Sequence, residues 1–157
     1  MYCIFFDTPV GRVGLASEHG SAISRLCFFS DGSCDAGEGE TPVLRFARAQ
    51  LLQYFAGVRT SFDLPLAPRG TLFQRKVWSC LLRIPYGKTC SYREIARCIG
   101  NPGAAKAVGG ACHRNPLPIL IPCHRVVGAD GTLTGFGCGL NLKQALLNLE
   151  RQPQVVQ

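Results

Sequence analysis

Residues 91–111 read SYREIARCIGNPGAAKAVGGA, and the punctuation in this stretch decides how the second half of the chain folds. Ser91 with Glu94 three residues later has the form of a capping box. The short helix it opens, over Ile95, Ala96 and Ile99, stops at Gly100. Asn101 and Pro102 then restart a helix, as N-cap and first helical residue. Two short helices joined by a tight turn containing glycine read as a helix-turn-helix. The second helix, Gly103–Ala111, carries one long polar side chain, Lys106, on an otherwise nearly bare backbone. A major-groove reader presents Arg, Asn, Gln or Lys to base edges. This surface reads little sequence, but it permits close approach to nucleic acid even in a narrow groove. Shape- or damage-directed binding is the reading that follows, against the alternative that Ala and Gly serve close helix packing.

The charge distribution agrees with a polyanionic partner. The 157 residues hold 17 Lys and Arg against 10 Asp and Glu, a net of +7. Residues 1–70 carry 6 basic and 7 acidic side chains, net −1, whereas residues 71–157 carry 11 basic and 3 acidic (Glu94, Asp130 and Glu150), net +8. The excess sits wholly in the second half, where it can neutralise phosphates or an acidic membrane surface. With 46% apolar and 17% charged residues the chain is neither disordered nor collagen-like. No apolar run approaches the roughly 18–20 residues that span a bilayer, and Met1–Phe6 lacks the basic start of a signal peptide.

The first half reads as a small α+β scaffold. Tyr2–Phe6, Arg12–Ala16 and Ala22–Phe29 are strand-like, with turns at Thr8–Gly11 and Glu18–Ser21. Asp31–Glu40 reads as an exposed loop. Thr41 caps a helix with Pro42 at its first position, Leu44, Ala47, Leu51 and Phe55 on one face, and Gly57 ending it. Phe62, Leu64 and Leu66 alternate as one more strand, and Pro65, Pro68 and Gly70 form a linker. The expected domains are therefore 1–68 and 69–157. In the second, Thr71 and Gln74 form a capping box ahead of the Phe73, Val77, Leu81 stripe, and Pro85-Tyr86-Gly87 is a turn.

Nine cysteines, odd in number, scattered and without a C-x-x-C, read as reduced thiols of a cytoplasmic (nucleoid-associated) or nuclear compartment. Cys112-His113 and Cys123-His124 have the composition of a zinc quartet. Adjacent residues of an extended segment point to opposite faces, however, so no metal is expected.

The chemistry concentrates in Asn115–Val127, NPLPILIPCHRVV. Three prolines and the apolar Ile119–Ile121 run read as a rigid, dry strand ending at Cys123. A thiol needs a base or a cation nearby to ionise at neutral pH, and His124 and Arg125 are candidates for both. His124 diverges from Cys123 and would act through a bridging water. The last helix, capped by Asn141 with Gln144 at the capping-box position, buries Leu142, Ala145, Leu146 and Leu149 and closes on Glu150. An acidic side chain in a last turn costs roughly 0.3–1 kcal/mol. A role as partner to His124, in a Glu–His–water–Cys relay, explains the placement.

Phe73 to Glu150 closely resembles the O6-alkylguanine-DNA alkyltransferases, also called methylated-DNA–protein-cysteine methyltransferases. The resemblance rests on Tyr92 in SYREIA, AVGGA at 107–111, Asn115-Pro116, the PCHRV box at 122–126, Gly135-Phe136, and Lys143 through Leu146-Leu147 to Glu150. Residues 1–66 match the family's ribonuclease-H-like N-terminal domain in strand–helix pattern only. The resemblance implies an α+β fold with that domain ahead of a mainly helical domain containing the helix-turn-helix. It implies a monomer that transfers the alkyl group of O6-alkylguanine, and of O4-alkylthymine, from duplex DNA to Cys123, once per molecule and without a cofactor. It further implies that His124, Glu150 and Asn115 serve the thiol, and that the second helix enters the minor groove with Ala105, Lys106, Gly109 and Arg114. Tyr92 would assist base rotation and donate toward the purine N3, while Val126, Phe136, Gly137 and Lys143 line the alkylguanine pocket.

Three departures carry consequences. Lys106 stands where the family usually has an arginine finger, and it lacks the planar, stackable guanidinium. Phe136 replaces a frequent Tyr, with Gly137 and Cys138 beside it, so the wall is small enough for alkyl groups bulkier than methyl. The zinc ligands of some family N-terminal domains have no matching set around Cys3 and Cys27. Two other readings stand beside repair: a non-transferring sensor of alkylated bases, which generally lacks the cysteine, and a cysteine hydrolase, which needs an oxyanion hole and turns over.

Overall fold

Thr8 turns the chain back on itself at Pro9-Val10: its Oγ1 donates to the Gly11 carbonyl at 2.6 Å and accepts from Val10 N at 3.2 Å. The hairpin joins β1 (Tyr2–Thr8) and β2 (Gly11–Ser17) in register from Tyr2↔Ser17 to Thr8↔Gly11. The computed structural model describes residues 1–29, 39–133 and 139–152. The expected loop at Asp31–Glu40 falls largely outside them. β3 (Arg25–Phe29) adds antiparallel to β2, giving sheet order β1-β2-β3 with the apolar β2 at its centre.

β3 is shorter than the expected Ala22–Phe29, because Ile23 is engaged elsewhere. It forms an isolated parallel bridge with Leu66, with Ile23 N donating to Pro65 O and Ala67 N to Ile23 O, both at 2.8 Å. The strand expected at Phe62–Leu66 reduces to that bridge. Pro65 has no N–H to continue a ladder, and Pro68 follows.

α1 (Pro42–Phe55) packs on β1 and β2. Its N-cap is Thr41, whose Oγ1 accepts from Leu44 N at 3.4 Å. The buried stripe is Leu44, Ala47, Leu51 and Tyr54. Tyr54 takes the place expected for Phe55, because the stripe centres between residues 44 and 54 at 100° per residue and leaves Phe55 at its edge.

The chain divides at residue 68, with Met1–Pro68 in one unit and Arg69–Arg151 in the other. The second unit opens with α2 (Leu72–Leu81), whose capping box is complete: Gln74 N donates to Thr71 Oγ1 at 3.1 Å and Thr71 N to Gln74 Oε1 at 3.0 Å. Gly70 has to be glycine because a Cβ there would sit 2.4 Å from the Trp78 ring. Trp78 donates its Nε1–H to Ala111 O at 2.9 Å, fixing α2 against the segment around Ala111.

The helix-turn-helix is present, as α3 (Tyr92–Cys98) and α4 (Ala105–His113). Ser91 caps α3 by accepting from Glu94 N at 3.0 Å. The Glu94 carboxylate hydrogen-bonds the Cys90 thiol. Asn101 does not cap the second helix. Asn101 O accepts from Ala104 N in a turn, and α4 starts three residues later than expected with Ala104 at the N-cap and no side-chain cap.

Beyond α4, Leu117–Ile121 is a buried turn and not the expected strand. Ile121 N donates to Leu117 O at 2.8 Å, and Ile119 takes φ 73°, an outlying conformation for a β-branched residue. A 3-10 turn, Cys123–Arg125, leads into β5 (Val126–Val127), which pairs parallel with β4 (Cys90–Ser91) and sets the reactive segment beside the start of α3. α5 (Leu140–Arg151) closes the unit. Asn141 lies inside its first turn, since Lys143 N already donates to Gly139 O, and Gln144 bonds Asn148 and caps nothing.

The expectation of uniformly reduced cysteines fails at one pair. α2 and α3 bring Cys80 and Cys98 to a Cα separation of 6.8 Å, and the two are joined as a disulfide.

Candidate active site

Cys123, His124 and Arg125 share one buried 3-10 turn, placed by the β4–β5 pairing on one side and α5 on the other. The backbone leading in is held by Asn115. Its Nδ2 donates to Ile121 O at 2.8 Å, and its Oδ1 accepts from Leu117 N at 2.9 Å. Cys123 N donates to the same Ile121 carbonyl at 2.7 Å. Asn115 therefore fixes the acceptor that fixes Cys123; its described hydrogen bonds go to the Leu117–Ile121 turn rather than to His124 or Glu150.

Glu150, from the last turn of α5, is where the buried polar groups converge. Its Oε2 lies 2.6 Å from His124 Nε2 and 3.1 Å from Arg125 Nη2, while Oε1 accepts from Arg125 Nε at 2.8 Å and from Gly87 N at 3.3 Å. Gly87 donates from a backbone at φ 77°, open to glycine. Burial pushes the carboxyl upward, but the hydrogen bonds from His124 and Arg125 outweigh it and hold the group at about 2. Glu150 is thus a carboxylate at neutral pH and can only accept.

That fixes the imidazole. Nε2 must carry the proton it offers to Glu150, which leaves a lone pair on Nδ1. Burial lowers the His124 pKa, more than the Glu150 contacts raise it, with Arg125 and Lys143 adding repulsion. A neutral, oriented imidazole is the result, and its Nδ1 is buried with no hydrogen-bond partner among the described residues.

Arg125 is not placed to activate the thiol. Both forks of its guanidinium are committed, to Glu150 and, through Nη1 at 2.7 Å, to Ile84 O. Its Cζ also lies 5.8 Å from the Tyr86 ring centroid. The cation near Cys123 is Lys143, fully buried on α5 with Nζ donating to Val126 O at 2.5 Å and 5.9 Å from the Tyr92 ring centroid. Burial lowers the Lys143 pKa, and the Cys123 and Cys112 sulfurs pull it back. Cys112, buried on α4, is raised to about 12, first by burial and then by Cys123. It stays a thiol at neutral pH.

The Arg125–Glu150 clamp is not legible in the sequence. Arg125 lies two residues from Cys123 in the chain, and nothing in the sequence says that its side chain turns toward α5. The paired Cys-His doublets also differ from the extended segments assumed for them, one closing α4 and the other lying in the 3-10 turn. Among the described residues no cluster of three His, Cys, Asp or Glu has metal-site geometry.

α4 presents Lys106, Ala107, Gly110, His113 and Arg114 to solvent, with Ala105 and Gly109 half-buried. A Cβ at Gly110 would meet nothing within 4 Å, and at Gly109 only the Tyr92 ring at 3.8 Å. Packing within the chain does not require glycine at either position. Phe136 and Gly137 lie outside the described residues.

Two family models match the chain in succession. The ribonuclease-like domain of 6-O-methylguanine DNA methyltransferase covers residues 1–68, and the DNA-binding domain of the same family covers 72–152. Methylated-DNA–protein-cysteine methyltransferases of Methanosarcina barkeri and Methanosarcina acetivorans are 58% and 46% identical, over 96% of this chain in both cases and 97% and 98% of theirs. The crystal structure of Mycobacterium tuberculosis OGT in complex with DNA superposes with a TM-score of 0.88 at 48% identity, covering 96% of this chain and 93% of that one. With both domain models matched in order, the chain belongs to the 6-O-methylguanine DNA methyltransferase family.

Proposed function

We propose that the protein repairs duplex DNA by moving the alkyl group of O6-alkylguanine, and of O4-alkylthymine, onto Cys123 in a single turnover. The observation that carries the reading is the buried 2.6 Å contact between Glu150 and the Nε2 of His124, the residue next to Cys123. Neighbours in a 3-10 turn diverge by about 120°, so the thiol proton passes to His124 Nδ1 through a bridging water. The thiolate electron pair attacks the alkyl carbon, the S–C bond forms as the C–O6 bond breaks, and guanine leaves with that bonding pair. Lys143 stabilises the thiolate before transfer. Tyr92 donates toward N3 of the departing guanine. The thioether does not hydrolyse, so the molecule is spent.

The second unit acts as the DNA-binding and transfer domain and the first as its scaffold. The open surface at Gly110 supports a close approach of α4 to the minor groove, with Ala105, Lys106, Gly109 and Arg114 along it. Lys106 enters the space left when the alkylated base is extruded. Val126 and Lys143 line the pocket that receives the extruded base. The protein works as a monomer, without metal or cofactor, in a cytoplasmic (nucleoid-associated) or nuclear compartment.

The test is stoichiometry. With a duplex carrying one O6-methylguanine, the guanine restored should rise to one mole per mole of protein and stop. Restoration beyond that ratio, or none by protein with an intact Cys123, overturns the proposal.

A further inference from the structure

Along α2 and α3 of the second unit lies an open cleft of about 400 Å³ whose lining does not include Cys123, His124 or Glu150. Cys80 and Cys98 both line it, and so do Arg75, Lys76, Ser79 and Arg83, with no acidic side chain among the lining residues. The disulfide between the two cysteines is therefore at the wall of a cationic cleft. Its two sulfurs are not equivalent: Cys80 is buried and Cys98 is exposed. Arg75, Lys76 and Arg83 are exposed too, and none has a described ion-pair partner.

We propose that this cleft is a thiol-exchange site, at which an anionic low-molecular-weight thiol is bound by Arg75, Lys76 and Arg83 and forms a mixed disulfide with Cys98. Thiol–disulfide exchange needs the attacking thiolate on the far side of one sulfur from the other. Cys98, exposed on α3, admits that approach, whereas burial of Cys80 closes the opposite one. The thiolate electron pair forms the new bond to Cys98 Sγ. The Cys80–Cys98 bond breaks and its pair leaves on Cys80 Sγ as a thiolate, for which the same three cations are the counter-charge. A second molecule of the small thiol, attacking the mixed disulfide at its own sulfur, releases Cys98 as a thiolate and carries away the oxidised small thiol. Carboxylates on the incoming thiol are what the cleft selects. A thiol bearing net positive charge meets three like charges there. The exchange uses neither Cys123 nor the Glu150 network, and its consequence is local: it unties α3, the first helix of the helix-turn-helix, from α2.

The test uses the full chain, air-oxidised, with reduced glutathione as the anionic probe and cysteamine as the cationic one, at equal thiolate concentration. Non-reducing peptide mapping should find Cys80 joined to Cys98 before treatment and, after acid quenching early in the reaction, before the second exchange, one glutathione on Cys98. At low salt glutathione should react about tenfold faster than cysteamine, with the preference fading as salt rises. Replacing the three exposed cations together (Arg75→Gln, Lys76→Gln, Arg83→Gln) should erase the preference; the salt series on the unaltered protein tests the same point without a substitution. Free Cys80 and Cys98 in the oxidised protein, an adduct on Cys80, or equal rates for the two thiols at low salt overturns the proposal.

Discussion

Glu150 and His124, 26 residues apart, meet at 2.6 Å in the interior because α5 ends against the 3-10 turn that carries the thiol. An acidic residue in a last helical turn is held there by hydrogen bonds from His124 Nε2, Arg125 Nε and Nη2, and Gly87 N. One carboxylate thereby supports both the packing of α5 and the tautomer of the base.

Glu150→Gln separates those two roles. Its amide leaves Arg125 buried without its counter-charge, which costs about 3–5 kcal/mol, and no longer requires His124 to protonate at Nε2. Urea unfolding should show the loss in stability. Repair in the surviving folded protein should slow by about 100-fold or more. Repair at the original rate would remove Glu150 from the mechanism.

Acid should act in two stages. His124 has its folded pKa depressed by burial, so its contribution is present above the unfolded value, near 6.5, and is lost as pH falls toward the lower folded value. Glu150, at about 2 when folded against 4.5 for the free group, contributes about 3 kcal/mol that is lost between those two pH values. Both shifts stabilise at neutral pH and fail in the same direction. Unfolding midpoints should fall first below pH 6.5 and again below 4.5, and the single-turnover repair rate should decline only below pH 6.5. A repair rate already halved above pH 6.5 would mean that a different base serves the thiol.

Much of this was legible before the fold was known, and the exceptions have local causes. Capping at Thr41, Thr71 and Ser91 reads directly from sequence because a cap needs only its own next three residues. The start of α4 was misread because Asn101-Pro102 has the signature of a helix opening yet is spent on a turn. Cys123, His124 and Glu150 could be nominated from chemistry and spacing. The Arg125–Glu150 clamp, the Lys143 bond to Val126 O and the Cys80–Cys98 pair could not, since each depends on which helices pack together.

Gly110 offers a test of the α4 surface. A side chain there meets only open space, so Gly110→Ala should stabilise the protein by about 0.5–1 kcal/mol through helix propensity. Gly110→Leu should fold equally well and bind duplex DNA at least about tenfold more weakly in a titration. Unchanged binding by the leucine variant would place the duplex elsewhere.

Lys106, exposed on the same helix, should be improvable. Lys106→Arg restores a planar, stackable group and should speed repair of O6-methylguanine in duplex DNA more than reaction with the free base. Equal effects on both substrates would mean that the residue does not fill the gap left by base extrusion.

The proposed acceptor of the alkyl group is Cys123. Protein mixed with a duplex carrying one O6-methylguanine should, on peptide mapping by mass spectrometry, show one added methyl, located on Cys123, and none in Cys123→Ala. A methyl on any other residue, or repaired guanine with Cys123 still a thiol, would contradict the account.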